Sequence, residues 1–320
     1  MNDVFWIVFW ATVFPGLTFV VGLSLLFEGI ERKLVARLQN RMGPSYTGLF
    51  GLLQPLLDVL KLLGKEDIVP RGADSAVSSA ALVWALSLSG FAALFIPWMG
   101  RTPFSFEGDV LMVGACLALS VALLCLSALS FHSPYPVIGG MRLLGLIASY
   151  EIGFIALLAV PYALTGSLSL AVMREKLWSG LASNPLMVPL WLAALVLGFM
   201  FLLAEAEKDP FTMAEAETEV AGGYLAEFTG RRLAFAHLTR RLHETVAVFL
   251  YVSALLAPQP IDGWWGFVSL LVAGLVVLVL LTLVDAAAPR LRLYDIGVLS
   301  WNKLLPLALL VATGAIVLRG

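Results

Sequence analysis

Long stretches of this chain carry no charge, and that decides its solvent before anything else. Residues 5–27, 76–98, 110–131, 186–203 and 265–284 are apolar and uncharged, each about the length that takes an α-helix across a hydrocarbon core of roughly 30 Å. Run 144–165 carries one charge, Glu151, and run 299–318 carries Lys303. The apolar stretch 245–257 is too short alone, so its helix is read as starting near Leu233 and including Arg240, Arg241, His243 and Glu244. Inside lipid every backbone polar group must find its partner within the fold, which leaves helices as the reading of such runs. The expectation is an all-α integral membrane protein of about eight transmembrane helices, residues 1–320 forming a single transmembrane domain. Only 13% of the residues are charged, about half the share of a soluble protein, which excludes a soluble enzyme.

The basic residues set the orientation. Of the 20 lysines and arginines, all but Arg101, Arg174, Lys176 and Arg319 fall on one side of an eight-span topology. That side is read as cytoplasmic, with both termini outside, in an inner (cytoplasmic) membrane. The first apolar run lacks the basic start and small-residue cleavage site of a signal peptide, so it is kept as a helix. The two cysteines, Cys116 and Cys125, share one apolar run and form no CxxC pair; they read as buried small residues, not cluster or metal ligands. No glycine-rich phosphate loop stands between a strand and a helix. His237 and His243 lie six apart, on different helix faces, which argues against a metal site. No bound cofactor, metal or nucleic-acid partner is expected.

Two cytoplasmic loops hold most of the chemistry. The first, about 28–75, opens on Glu28 and Glu31, three apart, and runs through ERKLVARLQNRMGP and GLFGLLQPLLDVLKLLGKEDIVP. Gln54, Asp58, Lys61 and Lys65 recur there at helical spacing among leucines, the pattern of an amphipathic helix at the interface. Acids mixed with the bases argue against a simple anchor to anionic lipid. The loop between helices five and six is the acidic run AEAEKDPFTMAEAETEVAGGYLAEF, 204–228. Glu215 and Glu219 are one helical turn apart with Glu217 between, an arrangement that repels unless a base or a proton intervenes. Lys208, Arg231 and Arg232 are the bases nearest in sequence. Pro210 and Gly222-Gly223 punctuate the run as a broken or re-entrant segment. Glu151, inside the fourth span, is a functional candidate by its position alone, and Asp285 at the end of the seventh could join it. His243 and Glu244 could join a proton path, with interfacial snorkelling the favoured reading of this cluster.

These segments resemble the complex I subunit 1 family, which takes in the H subunit of NADH-quinone oxidoreductases and the homologous membrane subunit of group 4 energy-converting hydrogenases. The resemblance rests on ERKLVARLQNRMGP (31–44), GLLQPLLDVLKLLGKEDIVP (51–70), SYEI (149–152), PFTMAEAETEVAGGYLAEF (210–228) and, more weakly, KLLPLALL (303–310). It implies an eight-helix subunit at the foot of a peripheral arm, coupling electron transfer at a neighbouring subunit's iron–sulfur cluster to proton or sodium translocation through antiporter-like and small membrane subunits. Matched by motif, Glu151, Glu205, Glu207, Glu215, Glu217, Glu219 and Glu227 are the implied ion-coupling carboxylates. Glu31, Arg32, Arg37, Arg41, Asp58, Lys61 and Lys65 are the implied peripheral-arm interface, and Phe211, Tyr224 and Phe228 the candidate cavity lining.

The chain departs from the pattern at Thr212, where the family commonly has Asp, at Phe228, and at HLTRRLHE (237–244), where the quinone branch has an acidic-aromatic stretch. These departures favour the hydrogenase-like branch, with a nickel–iron subunit alongside and ferredoxin as electron donor. The alternative is the quinone-chamber subunit of a quinone reductase, with quinone as the group held. A stand-alone ion-coupled transporter would show an internal inverted repeat, and none is visible.

Overall fold

The computed structural model describes residues 2–48, 50–100, 102, 104–214 and 221–319. Among these the chain is helical, with no strand. Seven helical stretches are long and apolar enough to cross a membrane: Phe5–Leu38, Ser75–Ala93, Asp109–Leu129, Pro134–Thr165, Pro185–Glu205, Gly263–Ala287 and Leu293–Arg319. An eighth long helix, Gly230–Tyr251, continues through a π-helical turn, Val252–Leu256. Its arginines and Glu244 make it less apolar than the others, yet His243–Leu255 is buried without a break.

The helices are numbered α1 (Asn2–Thr12), α2 (Leu17–Leu38), α3 (Gln54–Gly64), α4 (Ser75–Ala93), α5 (Asp109–Leu129), α6 (Pro134–Leu157), α7 (Ala159–Thr165), α8 (Leu170–Ser183) and α9 (Val188–Glu205). After the acidic run come α10 (Gly230–Tyr251), α11 (Gly263–Ala287), α12 (Leu293–Leu299) and α13 (Leu305–Arg319), the last two joined by a π-helical turn at Ser300–Leu304.

The sequence reading began the first loop at residue 28. Instead, α2 runs on to Leu38, because ERKLVARL contains no helix breaker, and the chain turns at Asn40 in the left-handed region (φ 53°). Asparagine adopts that conformation more readily than most residues. Glu28, Glu31 and Arg32 are therefore helical residues on a spanning rod. The fourth span starts at Pro134, ten residues before the expected 144, since proline suits the first helical turn. The amphipathic α3 forms as expected and packs against α2 and α10.

α10 is the hub, packing against α2, α3, α4, α5, α9 and α11. α4 packs extensively against α5. Their small residues allow near approach, and Ser78–Ser127 (3.0 Å) and Ser89–Ser120 (2.7 Å) join hydroxyl to hydroxyl across the seam. Close approach recurs where α6 meets the turn after the acidic run: a Cβ on Gly139 would stand 2.2 Å from the Tyr224 nitrogen. That turn is fixed to the end of the first loop. Thr229 Oγ1 accepts from Ile68 N and donates to Ile68 O, both at 2.9 Å, and Arg232 pairs with Asp67 at 2.8 Å.

Candidate functional site

The site begins with how α9 stops. Lys208 N donates to Leu203 O (3.0 Å) and Glu207 N to Ala204 O (3.2 Å), the paired bonds of a Schellman ending. The left-handed position of that motif usually holds glycine. Here it holds Glu207 (φ 51°), a placement that costs roughly 1–2 kcal/mol and is kept only where the surroundings enforce it. The tight reversal turns Glu205, Glu207 and Lys208 inward together: they are 3%, 7% and 6% exposed.

Lys208 enters a network of buried ions built by three segments distant in sequence. Its ammonium contacts the Glu31 carboxylate of α2 and lies 3.2 Å from Glu244 of α10. Arg241 Nη1 bonds Glu31 and Glu244, each at 2.9 Å, and its Nε lies 3.5 Å from Glu28. Arg32 then bonds Glu28 at 2.5 Å and Asp58 of α3 at 2.6 Å, and Gln54 donates to Asp58 at 2.9 Å. An unbroken line of charge thus runs from the amphipathic helix to the end of α9. Burial works against a charged Lys208, but the Glu244 and Glu31 carboxylates outweigh it and raise its pKa above the usual lysine value.

The inner end is less well satisfied. His243 Nε2 lies 3.0 Å from Glu205 Oε1, within ion-pair distance but without an aligned hydrogen bond. Both ring nitrogens, Glu205 Oε2 and Glu151 Oε2 are enclosed and unpartnered among the described residues. Tyr150 and Glu151 of α6 stand within electrostatic reach of Glu205. Glu207 meets the Tyr224 hydroxyl at 3.4 Å and Arg240 at 3.9 Å. Buried polar atoms without partners are costly and uncommon, and here they cluster where α6, α9 and α10 face one another.

Besides a cavity of about 370 Å³ at Glu31, Arg32 and Asp285, two half-open cavities reach the network. One, about 290 Å³, lies between α2, α3 and α10 and is walled by Glu28, Arg32, Asp58, Val59, Leu62 and His237. The other, about 330 Å³ and mostly polar, is walled by Glu31, Lys208, Arg240, Arg241, Asp285 and Arg290 among others. At its rim Asp209 N donates to Asp285 at 2.8 Å. Asp285 thus sits at this rim, beside Asp209.

The residues singled out from sequence separate accordingly. Glu151, Glu205 and Glu207 come together in the interior. Glu227 lies apart, accepting from Ser133 Oγ at 2.9 Å. Glu215, Glu217 and Glu219 lie outside the described residues. Of the implied arm-facing set, Arg37, Arg41, Lys61 and Lys65 are exposed. Glu31 is instead buried, because α2 extends and carries it under α10, while Arg32 and Asp58 are half-buried ion-network members. Phe211, Tyr224 and Phe228 are 1–3% exposed core residues; Phe228 packs on Phe131 (5.1 Å between ring centres) and none opens onto the two cavities.

Sequence reasoning missed the cationic half. Lys208 and Arg232 pair with Glu31, Glu244 and Asp67, not with the described part of the acidic run. Arg241, His243 and Glu244 are interior, not snorkelling. The signal available was the unbroken apolar run 245–257 directly after them, which pulls the last turn of charge into the bundle.

Among the described residues no group of three or more His, Cys, Asp or Glu is placed to hold a metal. The fold and its buried ions define an all-α, multi-pass membrane protein. The sequence matches the family model described as NADH dehydrogenase over residues 11–315, and the chain belongs to that family. It is 32% identical to the H subunit of NADH-quinone oxidoreductase from Thermomicrobium roseum, over 92% of this chain and 91% of that protein. It is also 32% identical to NADH-quinone oxidoreductase subunit 8 of Thermus thermophilus, over 94% and 85%. A chain of the archaeal membrane-bound sulfane sulfur reductase, a respiratory membrane complex, superposes with a TM-score of 0.80 at 20% identity, covering 95% of this chain and 97% of that one.

Proposed function

We propose that this chain is the coupling subunit of a complex I-like ion-translocating oxidoreductase, seated in the inner membrane with both termini outside. The exposed Arg37, Arg41, Lys61 and Lys65 meet the peripheral arm and its iron–sulfur subunits. Glu205 carries the reading. It stands where the ion line from Asp58 to Lys208 meets the unsatisfied His243–Glu151 cluster. A charge change near Asp58 or Glu28 alters the hold on Arg241, and with it how Glu31 and Glu244 share Lys208. Lys208 and Glu205 share the tight reversal at the end of α9, through which the disturbance reaches Glu205 and then Glu151, toward antiporter-like membrane subunits. Glu215, Glu217 and Glu219 extend the same path on sequence grounds.

The basic HLTRRLHE segment of α10, source of Arg240, Arg241, His243 and Glu244, favours the hydrogenase-like, ferredoxin-linked form. The cavity between α2, α3 and α10, together with the quinone oxidoreductases among the relatives, supports a second reading in which the subunit walls a quinone chamber. Purified complex assayed for hydrogen evolution and for quinone reduction separates the two: inhibitor-sensitive quinone reduction without hydrogen chemistry would overturn the first. For the coupling role, Glu205→Gln should lower ion translocation per electron about tenfold or more while complex abundance stays near wild type. Equal loss of both would make Glu205 structural.

A further inference from the structure

The last span carries a cation that the ion network does not use. Lys303 lies in the π-helical turn Ser300–Leu304, and with Trp301 and Asn302 it is exposed on the outer surface of the chain. α13 packs against α6, α7 and α9, so this face points away from the bundle. Arg290 and Arg292 mark one end of the span and Arg319 the other. At about 1.5 Å per residue, Lys303 lies roughly 16 Å along the helix from Arg292 and 24 Å from Arg319. That depth exceeds what the four-carbon stem of a lysine can span, even with an ordinary helix tilt. Among the described residues Lys303 has no hydrogen bond and no ion pair. A charge at that depth is retained when it is paired or faces a protein-lined surface.

Two further observations mark the place as a contact. π-Helical turns widen a helix locally and occur often at functional positions; this one also leaves the Ser300 hydroxyl buried and unpartnered. Leu307 and Leu310, one and two turns beyond Lys303 on the same face, are 48% and 67% exposed, an apolar stripe continuing from the charge.

We propose that the face of Lys303, Leu307 and Leu310 docks a transmembrane helix of a neighbouring membrane subunit, and that this helix carries an Asp or Glu at the depth of Lys303. The inference rests on the chain being one subunit of a multi-subunit membrane complex. It does not depend on which electron acceptor that complex uses. Charge complementarity selects the occupant. The ammonium takes a carboxylate, and the leucines take the apolar residues one turn away on the partner.

The test uses the whole complex, purified in mild detergent through its peripheral arm. A photoactivatable residue at position 303 should crosslink to one membrane subunit, at a peptide from an apolar span that contains a carboxylate. Lys303→Glu should reduce recovery of that subunit about tenfold, with Lys303→Arg close to wild type and Lys303→Met intermediate. Recovery of this chain and of the peripheral arm, measured in the same preparations, should stay unchanged. Exchanging the partner's carboxylate for lysine in the Lys303→Glu background should restore recovery. Crosslinks to lipid alone would overturn the proposal, as would full subunit recovery with Lys303→Glu. Loss of this chain itself in both Lys303→Glu and Lys303→Met would assign Lys303 to folding and overturn it equally. The Glu205→Gln measurement reads ion translocation and is independent of all these outcomes.

Discussion

Two regions of this molecule bury arginine in opposite ways. At the end away from the first loop, Arg174 of α8 is fully buried, and its guanidinium bonds the carbonyls of Pro97 and Gly266, both at 2.6 Å, and the Ser269 hydroxyl at 3.2 Å. Burial lowers its pKa to about 10, with Asp262 offsetting part of the effect. At the other end, Arg32, Arg241 and Lys208 share the carboxylates of Asp58, Glu28, Glu31 and Glu244. Carbonyls cannot gain or lose protons and have one place to be, so Arg174 is a fixed strut tying the end of α4 to the start of α11. A lysine between two carboxylates, by contrast, has two anionic partners at once. On the coupling reading proposed above, the first end is the fixed one and the second the responsive one.

The comparison breaks first at Lys208. Lys208→Met removes the cation that Glu31 and Glu244 share and leaves Arg241 to neutralise both. Losing one partner of a buried network costs about 3–5 kcal/mol, so the variant should lose thermal stability and ion translocation together. Adding Glu31→Gln, which removes the orphaned charge, should recover much of the stability and none of the translocation. Melting of the purified complex and pumping in vesicles check the two halves. Recovery of both would mean that the network is only structural.

Arg174→Met comes next. It strips three charge-assisted bonds, while the Gly266 carbonyl keeps its bond from Ser269 Oγ (2.9 Å) and the Pro97 carbonyl its bond from Gly100 N (3.4 Å), a loss of about 2–3 kcal/mol. Chain abundance should fall, yet translocation per assembled complex should match wild type. A selective coupling defect would mean that the quiet end takes part in the cycle.

How far the sequence foretold this contrast depends on how local each feature is. The spanning helices were legible, because an uncharged run of twenty residues has few alternatives in lipid. The amphipathic α3 was legible because Gln54, Asp58, Lys61 and Lys65 keep one helical period. Glu205, Glu207 and Glu151 stood out as carboxylates next to or inside apolar runs. The pairing did not show, because Glu31, Lys208 and Arg241 meet only through tertiary packing across 177 and 210 residues. Arg174 looked like one of four bases outside the main loops, and nothing local says that carbonyls from two distant helix ends will surround it. The extension of α2 was visible in principle, since no breaker precedes Asn40; assigning the charged turn to a loop hid Glu28 and Glu31 from the interior.

The smallest effect sharpens the contrast through its sign. Asp209, at the polar rim of the network, has its carboxyl pKa raised by burial, with the Asp285 charge adding to the rise and Thr212 and Arg290 (3.4 Å) opposing it. Glu107, at the opposite end, is lowered by bonds from Leu168 N and Ser167 Oγ, both 2.7 Å. A raised carboxyl favours the folded state while protonated, and that contribution is lost as pH rises from the unfolded value of 3.8 through the folded one. A lowered carboxyl contributes above its unfolded value of 4.5 and loses that contribution as pH falls through the folded one. Asp209→Asn should therefore melt higher than wild type near neutrality, and Glu107→Gln lower. Both differences should shrink toward zero as the melts are repeated at successively lower pH, below the unfolded value for Asp209→Asn and below the lowered folded value for Glu107→Gln. If Asp209→Asn melts lower near neutrality, the Arg290 pair outweighs burial, and the rim belongs with the fixed end of the molecule, not the responsive one.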